Sequence, residues 1–402
     1  MIRPDEALRL LLETVHQNAP RRVPLAEAWG LELAEPIRAD RDYPPFPRAM
    51  MDGYAVRTAD AGKVVRVVGE VAAGQNVDTP VRCAECLEIM TGAACPPGTE
   101  AVVPKEQVRR SGAEVALPRR VTPGQHIAPQ GSECPAGRPA LNAGEPITPL
   151  AIAVMASFGL KSVLVIPRPS MAVITTGAEL ISLDEIPDPA KIRDSNGPML
   201  VAMACDMGLG QPRHLHAEDR RDQIAKSLEE VADAEIVLLT GGVSVGTYDL
   251  VPQALDHYGA ELVFHKVSQK PGKPLLVARK GAQLVFGLPG NPLACHFCFH
   301  RYVAAAVRKM EGKRPITDPM LGRLTEPVEP KGGRTYFVAA LAQCNPEAEP
   351  RWRVRPLPGT SSADVFASAR ANCYAEVPPG ASELPAGEVV RFTWIGSAPW
   401  PN

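Results

Sequence analysis

The sequence predicts a multidomain chain of mixed α/β and all-β parts, and three observations predict it. From Met171 onward, apolar strand-like runs alternate with amphipathic helical segments, the pattern of a doubly wound α/β domain. Residues 43–130 instead hold short β-rich runs between Gly and Pro turns, and a similar series of short strands closes the chain. With 402 residues the chain exceeds one ordinary domain, and its 45% hydrophobic content suffices for several cores.

Taken in order, Pro4 to His16 places Leu8, Leu11, Leu12 and Val15 on one helical face, and a second helix is expected at Ala26 to Leu33. The runs Val64 to Val68, Glu88 to Met90, Ala101 to Val103 and Glu114 to Leu117 read as strands of a small inserted β-domain. Helix returns at Thr148, an N-cap with Pro149 at the first helical position, and runs to Phe158 before Gly159 stops it. Strand Met171 to Thr175, helix Met199 to Met207, helix Arg221 to Ala232 and strand Glu235 to Thr240 follow. A helical face of Val251, Leu255 and Tyr258 ends at Gly259, and the last helix spans Pro292 to Met310. Gly312 to Pro319 reads as a linker to a second β-module with strands Phe337 to Leu341, Trp352 to Leu357, Tyr374 to Val377 and Val389 to Trp394. The 42 prolines are spread along the chain, which favours rigid turns over disorder.

A net charge of −2 argues against general nucleic-acid or acidic-membrane binding. The longest nearly apolar run, Ala151 to Leu160, is too short to span a bilayer, and the acidic amphipathic start lacks the apolar core of a signal peptide. A cytoplasmic protein is expected. Nine cysteines without a secretion signal read as free thiols. Cys83-x-x-Cys86 and Cys295-x-x-Cys298 invite a zinc reading, but the pairs lie far apart and the second falls in a helical pattern, where core packing is favoured. His296 and His300 stand at i,i+4 without the Glu of a metalloprotease motif.

The most informative stretch is residues 240–249, TGGVSVGTYD, which follows the apolar run Glu235 to Leu239 and precedes a helix. Strand, glycine-rich turn and helix together aim unpaired backbone N–H groups at an anion. From Gly241 to Gly246 the spacing matches half of a Walker A loop, but Thr247 and Tyr248 replace the Lys and Ser/Thr, and no G-x-G-x-x-G occurs. Two further loops, Lys270-Pro-Gly-Lys273-Pro274 and Leu288-Pro-Gly-Asn291-Pro292, also border apolar runs. A single such loop could be a tight βα turn without a ligand. Three, at carboxyl ends of strands, point to one pocket for a phosphate-bearing small molecule, with Lys266, Lys270 and Lys273 as its basic cluster.

Two carboxylates lie outside these loops. Asp52, in a Pro-rich loop before Gly53, suits a metal ligand or base, or the Asx-turn of a hairpin. Glu179, after Thr175-Thr176-Gly177-Ala178, suits a site on the same sheet edge as Gly241, or a helix cap. Asp194 and Ser195 precede a helix and read as capping residues, while Thr91 before Gly92 reads as a turn hydroxyl that could bind an oxyanion.

These landmarks resemble the molybdopterin molybdenumtransferase family, which includes bacterial MoeA and the E domain of gephyrin. The shared segments are PPFPRAMMDGYAVR (Pro44 to Arg57), MTGAACPPGTEAVVPKE (Met90 to Glu106), TTGAEL (Thr175 to Leu180), DSNGPML (Asp194 to Leu200), TGGVSVGTYD, KPGKP, LPGNP and SARANCYAEVPPG (Ser368 to Gly380). They stand in the family's order over nearly the whole chain. The resemblance implies an elongated homodimer of four-domain chains: a discontinuous domain (1–43 and 131–168), an inserted β-domain (44–130), an α/β molybdopterin-binding domain (169–312) and a C-terminal β-barrel (313–402).

It also implies insertion of molybdate into adenylylated molybdopterin with release of AMP, aided by Mg²⁺. By match to the motifs, Asp52 and Glu179 are candidate metal or catalytic carboxylates, with Asp219 and Asp249 as further candidates. Lys270 and Lys273 would hold molybdate or phosphate, Thr91 would act from the opposing subunit, and Gly241, Gly242, Ser244, Gly246 and Asn291 would bind the pterin phosphate. A molybdopterin adenylyltransferase and recipient molybdoenzymes are the implied partners. The chain departs from the family pattern at Ala178, Thr247, Glu88, Glu100 and Ala128 to Glu133, which leaves open a non-catalytic molybdopterin carrier. An adenylyltransferase is disfavoured, because that family carries Gly-Gly-Thr-Gly where Gly-Gly-Val-Ser-Val-Gly stands here.

Overall fold

Alternation in the strand Met171–Thr176 decides the architecture around it. Ala172 and Ile174 point to one face and join Val237, Leu239, Ile224, Leu228, Val251 and Leu255, so the helices Arg221–Glu230 and Leu250–Tyr258 cover that side. Met171 and Val173 point to the other, joining Leu238, Phe286, Leu200, Phe297 and Tyr302 under the helix Asn196–Asp206 and the helical run from Pro292 to Met310. Because both faces are covered, the central strands Met171–Thr176 and Ile236–Thr240 read as nearly unbroken apolar runs. The helix Pro4–Thr14 packs into this second layer through Ala7 and Leu11.

The computed structural model describes residues 1–75, 78–242, 250–315, 319–330, 332–357 and 359–396. Its two units are Met1–Arg21 with Ile166–Asn402, and Arg22–Val165. In the first, the six-stranded sheet runs Arg213–Ala217, Met171–Thr176, Ile236–Thr240, Gln283–Leu288, Leu276–Lys280, Glu261–His265. The first four are mutually parallel, whereas Leu276–Lys280 pairs antiparallel with both neighbours. Short connections on either side of Leu276–Lys280 leave no room for a crossover helix and force that reversal. Glu261–His265 therefore runs in the same sense as the parallel strands, and its carboxyl end shares their edge. The unit closes with a five-stranded barrel of Met320–Leu324, Trp352–Pro356, Thr335–Cys344, Cys373–Val377 and Val389–Trp394, each strand paired with the next and the last with the first. Val338, Ala340, Val354, Ala375 and Phe392 fill it.

The unit Arg22–Val165 holds a six-stranded sheet ordered Ala101–Pro104, Gly53–Val56, Glu85–Ile89, Val64–Val71, Glu114–Ala116, Arg109–Ser111. A separate aliphatic core forms from Val23, Leu33, Ile147, Met155 and Val163 around the helix Pro149–Ser157. That helix starts as its sequence dictates: the Thr148 hydroxyl accepts from the Ala151 N–H at 3.1 Å.

One expected element is absent. Instead of a helix over Ala26 to Leu33, a single 3₁₀ turn, Leu25–Glu27, gives way to the strand Glu32–Leu33. Gly30 adopts a φ of 75°, which ends the turn, and the Leu31 and Leu33 carbonyls then accept from Ile147 and Gly144. Non-local pairing wins over a helical pattern only two turns long. The run Pro292 to Met310 is helical as expected but carries a π segment, Phe299–Val303, in its middle. Cys295 and Cys298 lie fully buried in its core.

Candidate functional site

Five chain segments converge at the carboxyl edge of the parallel sheet. Thr176 to Glu179 follow the strand Met171–Thr176, Glu218 and Asp219 follow Arg213–Ala217, and Gly241 and Gly242 follow Ile236–Thr240. Residues 266–275 follow Glu261–His265, and Pro289 to Asn291 follow Gln283–Leu288. The parallel register puts Thr175 level with Thr240, and Thr240 level with Leu288, so successive loops leave the sheet at one height. Glu179, Gly241, Gly242, Lys270, Lys273 and Asn291 line a single cleft of about 400 Å³, of a size suited to a small ligand. Lys266 is not among the residues lining it. Ser244, Gly246, Thr247 and Asp249 lie outside the described residues.

The Lys270–Pro274 loop is held from beneath. The wholly buried Gln269 donates to the Gly272 carbonyl at 3.1 Å and accepts from the Tyr302 hydroxyl at 2.6 Å. Val267 N–H donates to the Lys273 carbonyl at 2.9 Å, and Gln269–Lys270 pairs in parallel with the barrel strand at Thr335 and Tyr336. Lys270 Nζ stands 5.7 Å from the centre of the Tyr336 ring. Two cleft residues come from the barrel module and escaped the sequence reading: Arg334, and Ser362, whose hydroxyl accepts from Asn291 Nδ2 at 2.7 Å. The available signal for Arg334 was a cation directly after the Gly332-Gly333 pair at a strand start.

Gly241 shows why the turn after the Ile236 strand is glycine. Its φ is 93°, and a Cβ there would lie 2.1 Å from the Thr176 carbonyl oxygen. Gly241→Ala should therefore push the two loops apart, lowering the melting temperature by several degrees and abolishing ligand retention in the cleft. Thermal unfolding and a binding titration on the same preparation would check both.

Around Gly242 the oxygens collect. A Cβ on Gly242 would lie 3.4 Å from Asp219 Oδ1 and 3.5 Å from Thr176 Oγ1, so both atoms face one small space. Both are buried without a hydrogen-bond partner among the described residues. Burial, and then the negative charge of Glu179, push the Asp219 carboxyl above the usual carboxylate range. Asp219, Thr176 and the nearby Glu179 offer the hard oxygens that Mg²⁺ takes alongside water and phosphate oxygens, although among the described residues no group of three His, Cys, Asp or Glu side chains that could hold a metal ion forms.

A second group lies in the unit Arg22–Val165. Asp52 Oδ1 accepts from the Thr91 N–H at 2.7 Å and from the Thr91 hydroxyl at 2.6 Å. The hydroxyl, the N–H and nearby Lys105 hold this exposed carboxyl below its ordinary range. Sequence reading picked the two residues separately, and the fold binds them to each other. Three departures from the family pattern have local partners here. Glu88 bridges Lys105 and Arg110, at 2.7 Å to each. Glu100 accepts from the Thr58 N–H at 2.8 Å, and Glu133 pairs with Arg48 at 2.6 Å.

Three family models match the chain in order: the MoeA N-terminal region (domain I and II) over residues 2–159, a probable molybdopterin-binding domain over 172–309, and the MoeA C-terminal region (domain IV) over 322–394. The chain is 33% identical over 394 residues to a molybdopterin molybdenumtransferase of Staphylococcus aureus, covering 96% of this chain and 93% of the relative. It is 32% identical over 397 residues to the transferase of the same name from Staphylococcus epidermidis, with the same coverage. Two crystal structures of the molybdopterin biosynthesis MoeA protein from Pyrococcus horikoshii superimpose with TM-scores of 0.82 and 0.77, at 26% and 28% identity, covering 99% and 98% of this chain and all of theirs.

Proposed function

Because the chain belongs to the MoeA family of molybdopterin molybdenumtransferases, we propose that the lysine-lined cleft is where it inserts molybdate into adenylylated molybdopterin and releases AMP. The protein is a transferase of molybdenum cofactor biosynthesis. The observation that carries the site assignment is the convergence of Lys270, Lys273 and Arg334 with the Gly241 turn and Glu179 on one cleft.

The electrostatics suit the reaction. Molybdate and the substrate's phosphates are both anionic, and two unit charges ~4 Å apart repel by about 4 kcal/mol at an effective dielectric constant near 20. The Lys270 and Lys273 ammonium groups and the Arg334 guanidinium offset that repulsion, while Gly241, Gly242 and Asn291 seat the pterin phosphate at the sheet edge. Ser244, Gly246 and Asp249 belong to the same turn in sequence and complete the proposed pterin-binding set. Glu179 and Asp219 would hold Mg²⁺, with Thr176 beside them. When bound, that ion polarises the phosphoanhydride toward cleavage and neutralises charge on the leaving AMP phosphate.

The low proton affinity of Asp52 keeps it ionised and bonded to Thr91, so the pair offers a fixed carboxylate. We place Asp52 among the catalytic or metal-binding carboxylates and propose a homodimer in which Thr91, with Asp52, serves the opposing protomer. The same reading adopts the four-domain division 1–43 with 131–168, 44–130, 169–312 and 313–402, and a cytoplasmic setting. Among the described residues no helix is long and apolar enough to cross a membrane.

The test supplies purified protein with adenylylated molybdopterin, molybdate and Mg²⁺ and follows AMP. Release of AMP that requires molybdate supports the reading; tight binding without AMP would support a non-catalytic carrier instead. Asp52→Asn should lower turnover by at least about 100-fold while leaving pterin binding within about twofold. Undiminished AMP release by that variant would remove Asp52 from the chemistry.

A further inference from the structure

We infer that Asn196 is a positioning residue that locks two of the cleft's loops into one rigid anion cradle. This deepens the proposed function and rests on it. Asn196 opens the helix Asn196–Asp206 and is only 8% exposed, so its amide nitrogen must find partners inside the protein. Nδ2 donates at 2.7 Å to the carbonyl of Gly290, in the Leu288–Pro292 loop, and at 3.3 Å to the hydroxyl of Thr240, the last residue before Gly241. Both donors of one amide thus span the gap between adjacent loops. The loops are close enough for this to matter: a Cβ on Gly290 would lie 3.8 Å from the Cα of Gly241.

The segment carrying Asn196 is itself anchored on the far side. Asp194 Oδ1 accepts from the Gly197 N–H at 2.9 Å, and its Oδ2 lies 3.3 Å from His214 Nε2, which in turn lies 3.2 Å from the Thr175 hydroxyl. Residues 194–197 therefore connect Thr175, at the end of Met171–Thr176, and His214, within Arg213–Ala217, to the ends of Ile236–Thr240 and Gln283–Leu288. A cap would need only the first of these links. The second set faces the loops that bind the ligand, and a phosphate held by two loops is lost when their separation drifts.

Asn196→Asp tests this with almost no change of shape. The carboxylate cannot donate, so both links vanish and an oxygen is set against the Gly290 carbonyl. KM for adenylylated molybdopterin should rise about 30-fold or more, with kcat changed less than about threefold. Thr240→Val, which removes one acceptor, should raise KM about fivefold, and the two changes combined should not multiply. Hydrogen exchange at Gly290 and Asn291 should quicken in both variants while amides of the barrel stay at wild-type rates. An unchanged KM in folded Asn196→Asp protein would overturn the inference. So would a general rise in exchange with kcat and KM unmoved, since that is a purely structural cap. If the unaltered protein releases no AMP, the functional reading fails, yet the exchange rates still decide whether Asn196 braces the loops.

Discussion

Replacing Lys273 by methionine is expected to lower kcat/KM for AMP release by about two to three orders of magnitude, with no loss of fold. Methionine keeps the length and the apolar stem of lysine and removes only the ammonium. The backbone at 273 is fixed by the Val267 N–H on its carbonyl, and Gln269 pins the loop at Gly272, so neither support depends on the Lys273 side chain. The loss should therefore fall on the anions the cleft must bring together. Lys270 lies over the Tyr336 ring and Arg334 donates to the Gln269 carbonyl at 3.4 Å, so both remaining cations are already tied to the barrel side of the cleft. Lys273→Arg is the control: it restores charge with a different shape and should recover part of the rate. Steady-state kinetics with molybdate varied would show the deficit as a raised molybdate requirement. Wild-type kinetics in Lys273→Met would mean that the loop binds something other than the reacting oxyanions.

The sequence announced this cleft because its walls are built from turns with a visible signature. TGGVSVG, KPGKP and LPGNP each border an apolar run, and residues at the ends of neighbouring parallel strands must meet at one edge. The inserted β-sheet and the closing barrel were legible for a similar reason, since short alternating runs between Gly and Pro leave little else to form. What could not be read were contacts set by tertiary closure. Arg334 and Ser362 enter the cleft only because Gln269–Lys270 pairs with a barrel strand 66 positions away in register. The failed helix at Ala26 to Leu33 has the same origin, for its residues pair with 144–147 instead of with each other. Asn196 directly follows the two residues that read as caps, Asp194 and Ser195, and only the folded sheet edge reveals where its amide points.

Asp219→Asn is expected to stabilise the metal-free protein near pH 7 and to weaken its response to Mg²⁺. The Asp219 carboxyl lies above its ordinary value of 3.8, chiefly through burial and then through the charge of Glu179. A carboxyl with a raised pKa holds its proton more firmly in the folded state than in the unfolded one. Its ionisation therefore costs nothing below 3.8 and weakens the fold as pH climbs through the raised value, so the penalty is fully present at neutral pH. Asparagine removes that charge while keeping an oxygen beside Gly242. The melting temperature of the variant should exceed wild type by about 1–3 °C at pH 7, and the gain should fade toward pH 4. Millimolar Mg²⁺ should reverse the order, because the wild-type pair of carboxylates presents two charges to the ion where the variant keeps only that of Glu179, and binding to the folded state alone raises its stability. AMP release should fall at least about tenfold in the variant at fixed Mg²⁺ and recover partly as Mg²⁺ is raised. If wild type and Asp219→Asn shift equally with Mg²⁺, the ion sits elsewhere and the Glu179–Asp219 pair is only a strained corner of the sheet edge. If the variant is less stable at every pH, the repulsion inferred from the burial of Asp219 beside Glu179 is absent, and with it the reason for a cation to bind there.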